Sequence, residues 1–124
     1  MSGRGVGASI PRKEDDRFLH GTGQFVPDVQ IPRMWHAAFR RSQVAHGRLR
    51  DVVVPQGVTG QVFTSADLVN VKPIRSTASF PGFKASEQPP LVTDKIRHVG
   101  ELIAMCVADT RAEAEDIAAQ VMVD

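Results

Sequence analysis

Glu101-Leu102-Ile103-Ala104-Met105-Cys106-Val107-Ala108, followed through Asp109 by Thr110-Arg111-Ala112-Glu113, sets a strand directly against a capped helix. Residues 101–108 are apolar on both faces apart from the first, the mark of a strand covered on each side. Thr110 and Glu113 have the spacing of a capping box, and Ala114, Ile117, Ala118 and Val121 recur at i, i+3, i+4 and i+7. The spacing predicts a helix over 110–120. Residues 121–124 (VMVD) turn β-branched again and then stop, as a strand does when its beginning alone is present, so a continuation into a longer chain is expected.

Upstream, residues 91–99 (LVTDKIRHV) read as a short strand or hairpin arm closing at Gly100. Residues 34–41 (MWHAAFRR) are a strand with Trp35, Ala37 and Phe39 on one face and His36, Ala38 and Arg40 on the other. A second strand is expected over 47–54 (GRLRDVVV), turned by Pro55-Gln56-Gly57, and a third over 58–63. Thr64 or Ser65 then caps one helical turn through Ala66, Asp67 and Leu68.

Residues 69–90 hold four prolines, three serines and one glycine without apolar periodicity, which predicts a long irregular loop. Residues 1–13 read as an extended arm. A short helical turn follows at 14–19 (EDDRFL) with Gly21 as its stop, and then a loop through Gly23 and Pro27 anchored by Phe25 and Val26.

These elements belong to an α/β (α+β) domain with a small mixed sheet and one main helix, and the composition agrees. The chain has 124 residues, 42% hydrophobic and 23% charged, with one cysteine, ten glycines and eight prolines. A single domain of that length can bury about two-thirds of its unfolded surface, a real core without disulfide or metal staples. Cys106 has no internal partner for a disulfide. No apolar stretch approaches the roughly 20 residues of a membrane helix, and residues 1–7 show no signal-peptide core, so a cytoplasmic protein is expected.

Net charge is +1, with six Phe, one Trp and no Tyr, which argues against a dedicated nucleic-acid binder. The charge is unevenly placed: residues 1–50 carry nine Lys/Arg against four Asp/Glu, and residues 101–124 one against six.

Self-contained chemistry is hard to find. His20, His36, His46 and His98 lack metal-ligand spacing, and Cys106 sits in the most apolar strand, where burial raises a thiol's pKa. Among the acids Glu14, Asp15, Asp16, Asp28, Asp67, Asp94 and Glu101, only Glu101 borders an apolar strand after a glycine. A carboxylate there can serve as a base, but a strand-end acid more commonly takes backbone N–H bonds or a salt bridge. Gly21-Thr22-Gly23 lacks the third glycine and preceding strand of a dinucleotide loop, and neither a P-loop nor G-x-S-x-G is present. Arg40, Arg41, Arg48 and Arg50 form the densest positive run. Alternation puts Arg48 and Arg50 on one face, open to a small anion or an acidic partner, though a solvated sheet face is the plainer expectation.

Read in order, several blocks resemble the molybdopterin-binding large subunit of the xanthine dehydrogenase and aldehyde oxidase family, which includes carbon monoxide dehydrogenase. They are Arg12 to Phe25 (RKEDDRFLHGTGQF), Trp35 to Ser42 with Ala45-His46, Gly57-Val58 leading to residues 62–68 (VFTSADL), and Pro90 to Glu101 (PLVTDKIRHVGE) running on through 107–111 to 121–124. Departures are Phe25 where tyrosine is frequent, Val26-Pro27, His98 for a usual aromatic, and Leu102 for a common proline.

The resemblance implies the N-terminal α/β hammerhead domain, spanning 14–124 after the arm 1–13, with the loop at 69–90 and a molybdopterin-binding domain downstream. It also implies molybdopterin (molybdenum) in the rest of that subunit, and iron–sulfur clusters and FAD in partner subunits or domains. No catalytic, cofactor-binding or metal residue is carried onto this chain, Glu101 included. The function expected is a structural and subunit-contact domain of a molybdenum-dependent oxidoreductase, inactive alone, with no nucleic-acid or membrane partner. The alternative is a stand-alone, non-catalytic binding or assembly module, and a small-anion binder using Arg48 and Arg50 ranks third.

Overall fold

The computed structural model describes residues 5–78 and 80–124, so the expectations for residues 1–4 and for Ser79 lie outside the described residues. Contacts divide the chain into two compact units, Met1–Pro32 and Arg33–Asp124. The expected boundary after residue 13 lies inside the first.

In the first unit, Asp15–Leu19 forms a single helical turn, α1, with Asp15 and Asp16 at its positive end. Gly21 follows at φ 66°, a left-handed conformation that glycine adopts without steric cost, and ends the turn as expected. Phe18 and Phe25 stack with centroids 5.5 Å apart. Phe25 is thus the anchor of that loop, whereas Val26, expected to be a second anchor, is exposed at the start of a 3-10 turn, Val26–Asp28.

In the second unit, β1 (His36–Arg41), β2 (Gly47–Arg48), β3 (Val52–Val53) and β4 (Val62–Phe63) precede β5 (Ile74–Arg75), β6 (Glu87–Gln88), β7 (Lys95–Ile96) and β8 (Leu102–Ala108). Helix α2 (Arg111–Gln120) and β9 (Met122–Val123) complete the order. The main sheet has the order β1-β8-β4 with both pairings antiparallel, and β2-β7, β3-β9 and β5-β6 are two-stranded ladders. Small sheets around one main helix are the fold class that the sequence predicts.

β8 is the centre. Its inward residues Ala104, Cys106 and Ala108 pack with Val62 against Ala114, Ile117, Ala118 and Val121 of α2 and its end. The alanines on both surfaces let helix and sheet approach closely, and the burial of this one face supplies most of the helix's stability. The cap forms as its spacing requires: Thr110 Oγ1 accepts from the Glu113 N–H at 3.2 Å, and the Glu113 carboxylate accepts from the Thr110 N–H at 3.2 Å.

Pairing slips between Arg40 and Arg41, which face Ala104 and Leu102, so Ile103 is an extra residue on β8. This bulge explains why Ile103 and Ala104 are buried in succession. Ile103 turns away from α2 into a second cluster with Val92 and Ile96, flanked by Leu49, Val52 and Val123.

Three expectations need correction. The strand over 47–54 is two short pieces, because β2 pairs with β7 while β3 pairs with β9. The strand over 58–63 is a 3-10 turn, Thr59–Gln61, followed by two residues of β4. The segment 69–90 contains a ladder, Ile74 opposite Gln88 and Arg75 opposite Glu87, with Arg75 Nη1 3.8 Å from the Glu87 carboxylate. Its strands are exposed and too short to show a period.

Candidate functional site

Glu101 is the only described acid that is fully buried, at 3% exposure. The turn before it is closed by Gly100, whose φ of 82° favours a residue without Cβ. The Gly100 N–H donates to the Ser42 carbonyl at 2.9 Å, the Ser42 N–H donates to the Glu101 carbonyl at 2.9 Å, and Arg41 Nη1 donates to the Gly100 carbonyl at 2.9 Å. Within this frame Glu101 Oε2 accepts the backbone N–H of Arg97. Its other oxygen lies 3.6 Å from Arg97 Nη1, and His98 Nδ1 stands 3.8 Å from Oε2. Oε2 is therefore committed to its own turn, the structural role that its position at a strand end suggests, while Oε1 is buried with no hydrogen-bond partner among the described residues. Buried under Arg97 and His98, the carboxylate pins residues 97–101.

Of the other candidate acids, Glu14 makes no side-chain hydrogen bond at the start of α1, and the remaining five have local partners. Asp15 accepts the Arg12 N–H at 3.1 Å, Asp28 the Phe25 N–H at 2.9 Å, and Asp67 the Thr64 N–H at 2.7 Å. Asp16 lies 3.4 Å from His20 Nδ1, and Asp94 accepts from the Thr93 hydroxyl at 3.0 Å. Among the described residues no group of three or more His, Cys, Asp or Glu is placed to hold a metal ion.

Burial pushes the Cys106 thiol above its usual range, away from the thiolate needed for nucleophilic or ligand chemistry. An iron–sulfur cluster needs about four thiolates, and this chain has one cysteine, so its residues do not fit such a cluster.

The basic run is divided by the fold. Arg48 and Arg50 are both exposed, as alternation predicts, and line a groove of about 690 Å³ with His46, Asp94 and Lys95. Arg50 Nη1 is 3.8 Å from the Asp124 carboxylate. Arg40 lies instead on the half-buried face of β1 and lines a smaller cavity of about 200 Å³ that it shares with Arg48.

The largest departure from expectation is the outward face of the main sheet. Residues 101–108 predict a strand covered on both sides, and the two faces differ in degree: the residues of β8 on the α2 side are fully buried, whereas Met105 and Val107 on the other side are half-buried. Outward-facing Phe39, Met105 and Phe63 form one cross-strand row, and Ala37 opposes Val107 in the next. Met105, Val107 and Phe63 are half-buried and Phe39 is 37% exposed. The alternation in 34–41 puts Phe39 on this face, but the row itself depends on strand pairings that local sequence does not encode.

No helix of the described residues is long and apolar enough to cross a membrane. The sequence is 35% identical over 116 residues to the nicotine 6-hydroxylase large subunit of Paenarthrobacter nicotinovorans, covering 90% of this chain and 14% of that protein. Quinoline 2-oxidoreductase from Pseudomonas putida 86 superposes with a TM-score of 0.82 at 36% identity, over 96% of this chain and 16% of that one. A Cu,Mo-CO dehydrogenase in its carbon monoxide reduced state gives a TM-score of 0.77 at 31% identity, over 99% of this chain and 16% of that one. The pattern described as aldehyde oxidase and xanthine dehydrogenase, a/b hammerhead domain, matches residues 20–124. This chain therefore belongs to the aldehyde oxidase and xanthine dehydrogenase family, as its a/b hammerhead domain.

Proposed function

We propose that the chain is the N-terminal structural and subunit-contact domain of the large subunit of a molybdenum hydroxylase or CO dehydrogenase-like enzyme. In this reading the remainder of the large subunit holds molybdopterin, and partner subunits or domains carry iron–sulfur clusters and FAD. None of this chain's residues is given a catalytic or cofactor-binding role. The metal centre, where bound, supplies the redox chemistry, and this domain supplies a rigid surface against which the rest is positioned.

The observation that carries the reading is the outward sheet face. Phe39, Phe63, Met105 and Val107 make the side of the sheet away from α2 apolar, with Phe39 exposed and the other three half-buried. Apolar surface of this kind, on a strand otherwise sequestered, marks a contact with another part of the protein. A cytoplasmic location belongs to the same reading, supported by one unpaired thiol in place of a disulfide framework.

The test is Phe39→Asp with Met105→Asp in the complete large subunit, followed by thermal midpoint and molybdenum per polypeptide. Both are expected to fall, while Arg111→Ser on the exposed side of α2 leaves them unchanged. A double variant with unaltered midpoint and molybdenum content overturns the reading.

A further inference from the structure

β1 is an open edge of the main sheet. The order β1-β8-β4 gives it a neighbour on one side only, and among the described residues its backbone hydrogen bonds run to β8 alone. In an antiparallel pair alternate residues turn their N–H and C=O groups away from the partner, so His36–Arg41 presents a row of backbone donors and acceptors along that edge. The opposite edge, β4, is only two residues long. Sheets commonly guard a long edge with proline, lysine or a bulge that twists it away. β1 has no proline or lysine, the extra residue of the bulge lies on β8, and both arginines stand together at the C-terminal end, so the stretch from His36 to Phe39 is unguarded.

The side chains beside this edge indicate what lies along it. Trp35, directly before β1, is 68% exposed, Ala37 is exposed and Phe39 is 37% exposed. Alternation places the three on the outward face, with the Ala37 methyl between two aromatic side chains. A strand added at the edge sets its own side chains about 5 Å from these, and a large apolar one opposite Ala37 fills the space between the rings. A second copy of this chain is a poor occupant, because pairing β1 with β1 gathers the arginines of both strands on one short ribbon that holds no acid. The remainder of the large subunit is the better one, since this chain spans 14% of the nicotine 6-hydroxylase large subunit and 16% of quinoline 2-oxidoreductase.

We propose that β1 receives an added strand from the remainder of the large subunit, an extended segment that pairs with the backbone of His36 to Phe39 and seats a large apolar side chain over Ala37, between Trp35 and Phe39. This deepens the contact role proposed above and rests on it, naming the form that the contact takes at the sheet edge.

The experiment is amide hydrogen exchange of the complete large subunit, resolved to single residues by mass spectrometry with electron-transfer fragmentation. An open edge gives alternation, slow where an amide bonds to β8 and fast at its neighbours. The added strand is expected to remove that alternation, slowing the outward amides within residues 37–39 at least about a hundredfold relative to unprotected peptide. Trp35→Ser, at an exposed position, should speed those amides about tenfold and leave the amides facing β8 unchanged. Persistent alternation, protection that appears only when other subunits are added or only at high protein concentration, or protection indifferent to Trp35→Ser overturns the proposal. Persistent alternation together with the expected loss of midpoint and molybdenum in the Phe39→Asp, Met105→Asp variant overturns the added strand alone, whereas an unaffected double variant overturns the contact role as well.

Discussion

Glu101 and Cys106 sit five residues apart around the same strand, and each looks reactive in isolation for a reason that the folded environment removes. The carboxylate of Glu101 accepts the Arg97 N–H and lies beside the Arg97 guanidinium and the His98 ring, so it organises a turn. Glu101→Ala leaves that N–H without an acceptor in a buried place and is expected to cost about 1–3 kcal/mol in denaturant unfolding, with Glu101→Gln recovering part of it.

Cys106 is fully buried, and burial raises its thiol above the usual 9.0. The folded chain then keeps a proton that the unfolded chain has lost, so this contribution to stability is complete below about pH 9 and disappears as pH rises through the raised folded value. Unfolding curves above that pH should fall more steeply for the wild type than for Cys106→Ala, and equal slopes would remove the effect. Both residues are legible in the sequence as to burial, since each lies in or beside an apolar run. The partners of Glu101 are only half legible: Arg97 and His98 are close in sequence, whereas Ser42, whose N–H donates to the Glu101 carbonyl, comes from the end of β1.

Among the elements, α2 is the most completely encoded locally. Thr110, Glu113 and the i, i+3, i+4 spacing act within a few residues, and the observed helix differs from the expected one only in Thr110 being its cap. Thr110→Ala should cost about 1 kcal/mol, and Thr110→Ser should restore it, as measured by chemical denaturation. Ile117→Ala should cost more, about 2–5 kcal/mol, because it opens space between α2 and β8. The small strands are the reverse case. β-branched, partly alternating character runs through residues 47–54, but Gly47–Arg48 and Val52–Val53 pair with Lys95–Ile96 and Met122–Val123, far along the chain, and that choice divides the strand. The β5-β6 ladder has two exposed residues on each side, which leave no pattern to read.

For the molecule as a whole, the apolar outer face of the β1-β8-β4 sheet is the feature that most demands a partner. Local sequence shows that β8 is apolar on both sides, and only the fold shows that the side away from α2 is buried no more than halfway. Contact through Phe39, Met105 and Phe63 is predominantly hydrophobic, so association of this domain with the rest of a large subunit should change little between low and physiological ionic strength. An adaptor docking by the basic run would lose affinity steeply over the same range. The relatives are far longer, since the chain spans 14% of the nicotine 6-hydroxylase large subunit. The most direct measurement is the intact mass of this polypeptide as its native source makes it. A mass several times 13.5 kDa is predicted, with this domain as part of the larger subunit, and a mass of 13.5 kDa would contradict that assignment.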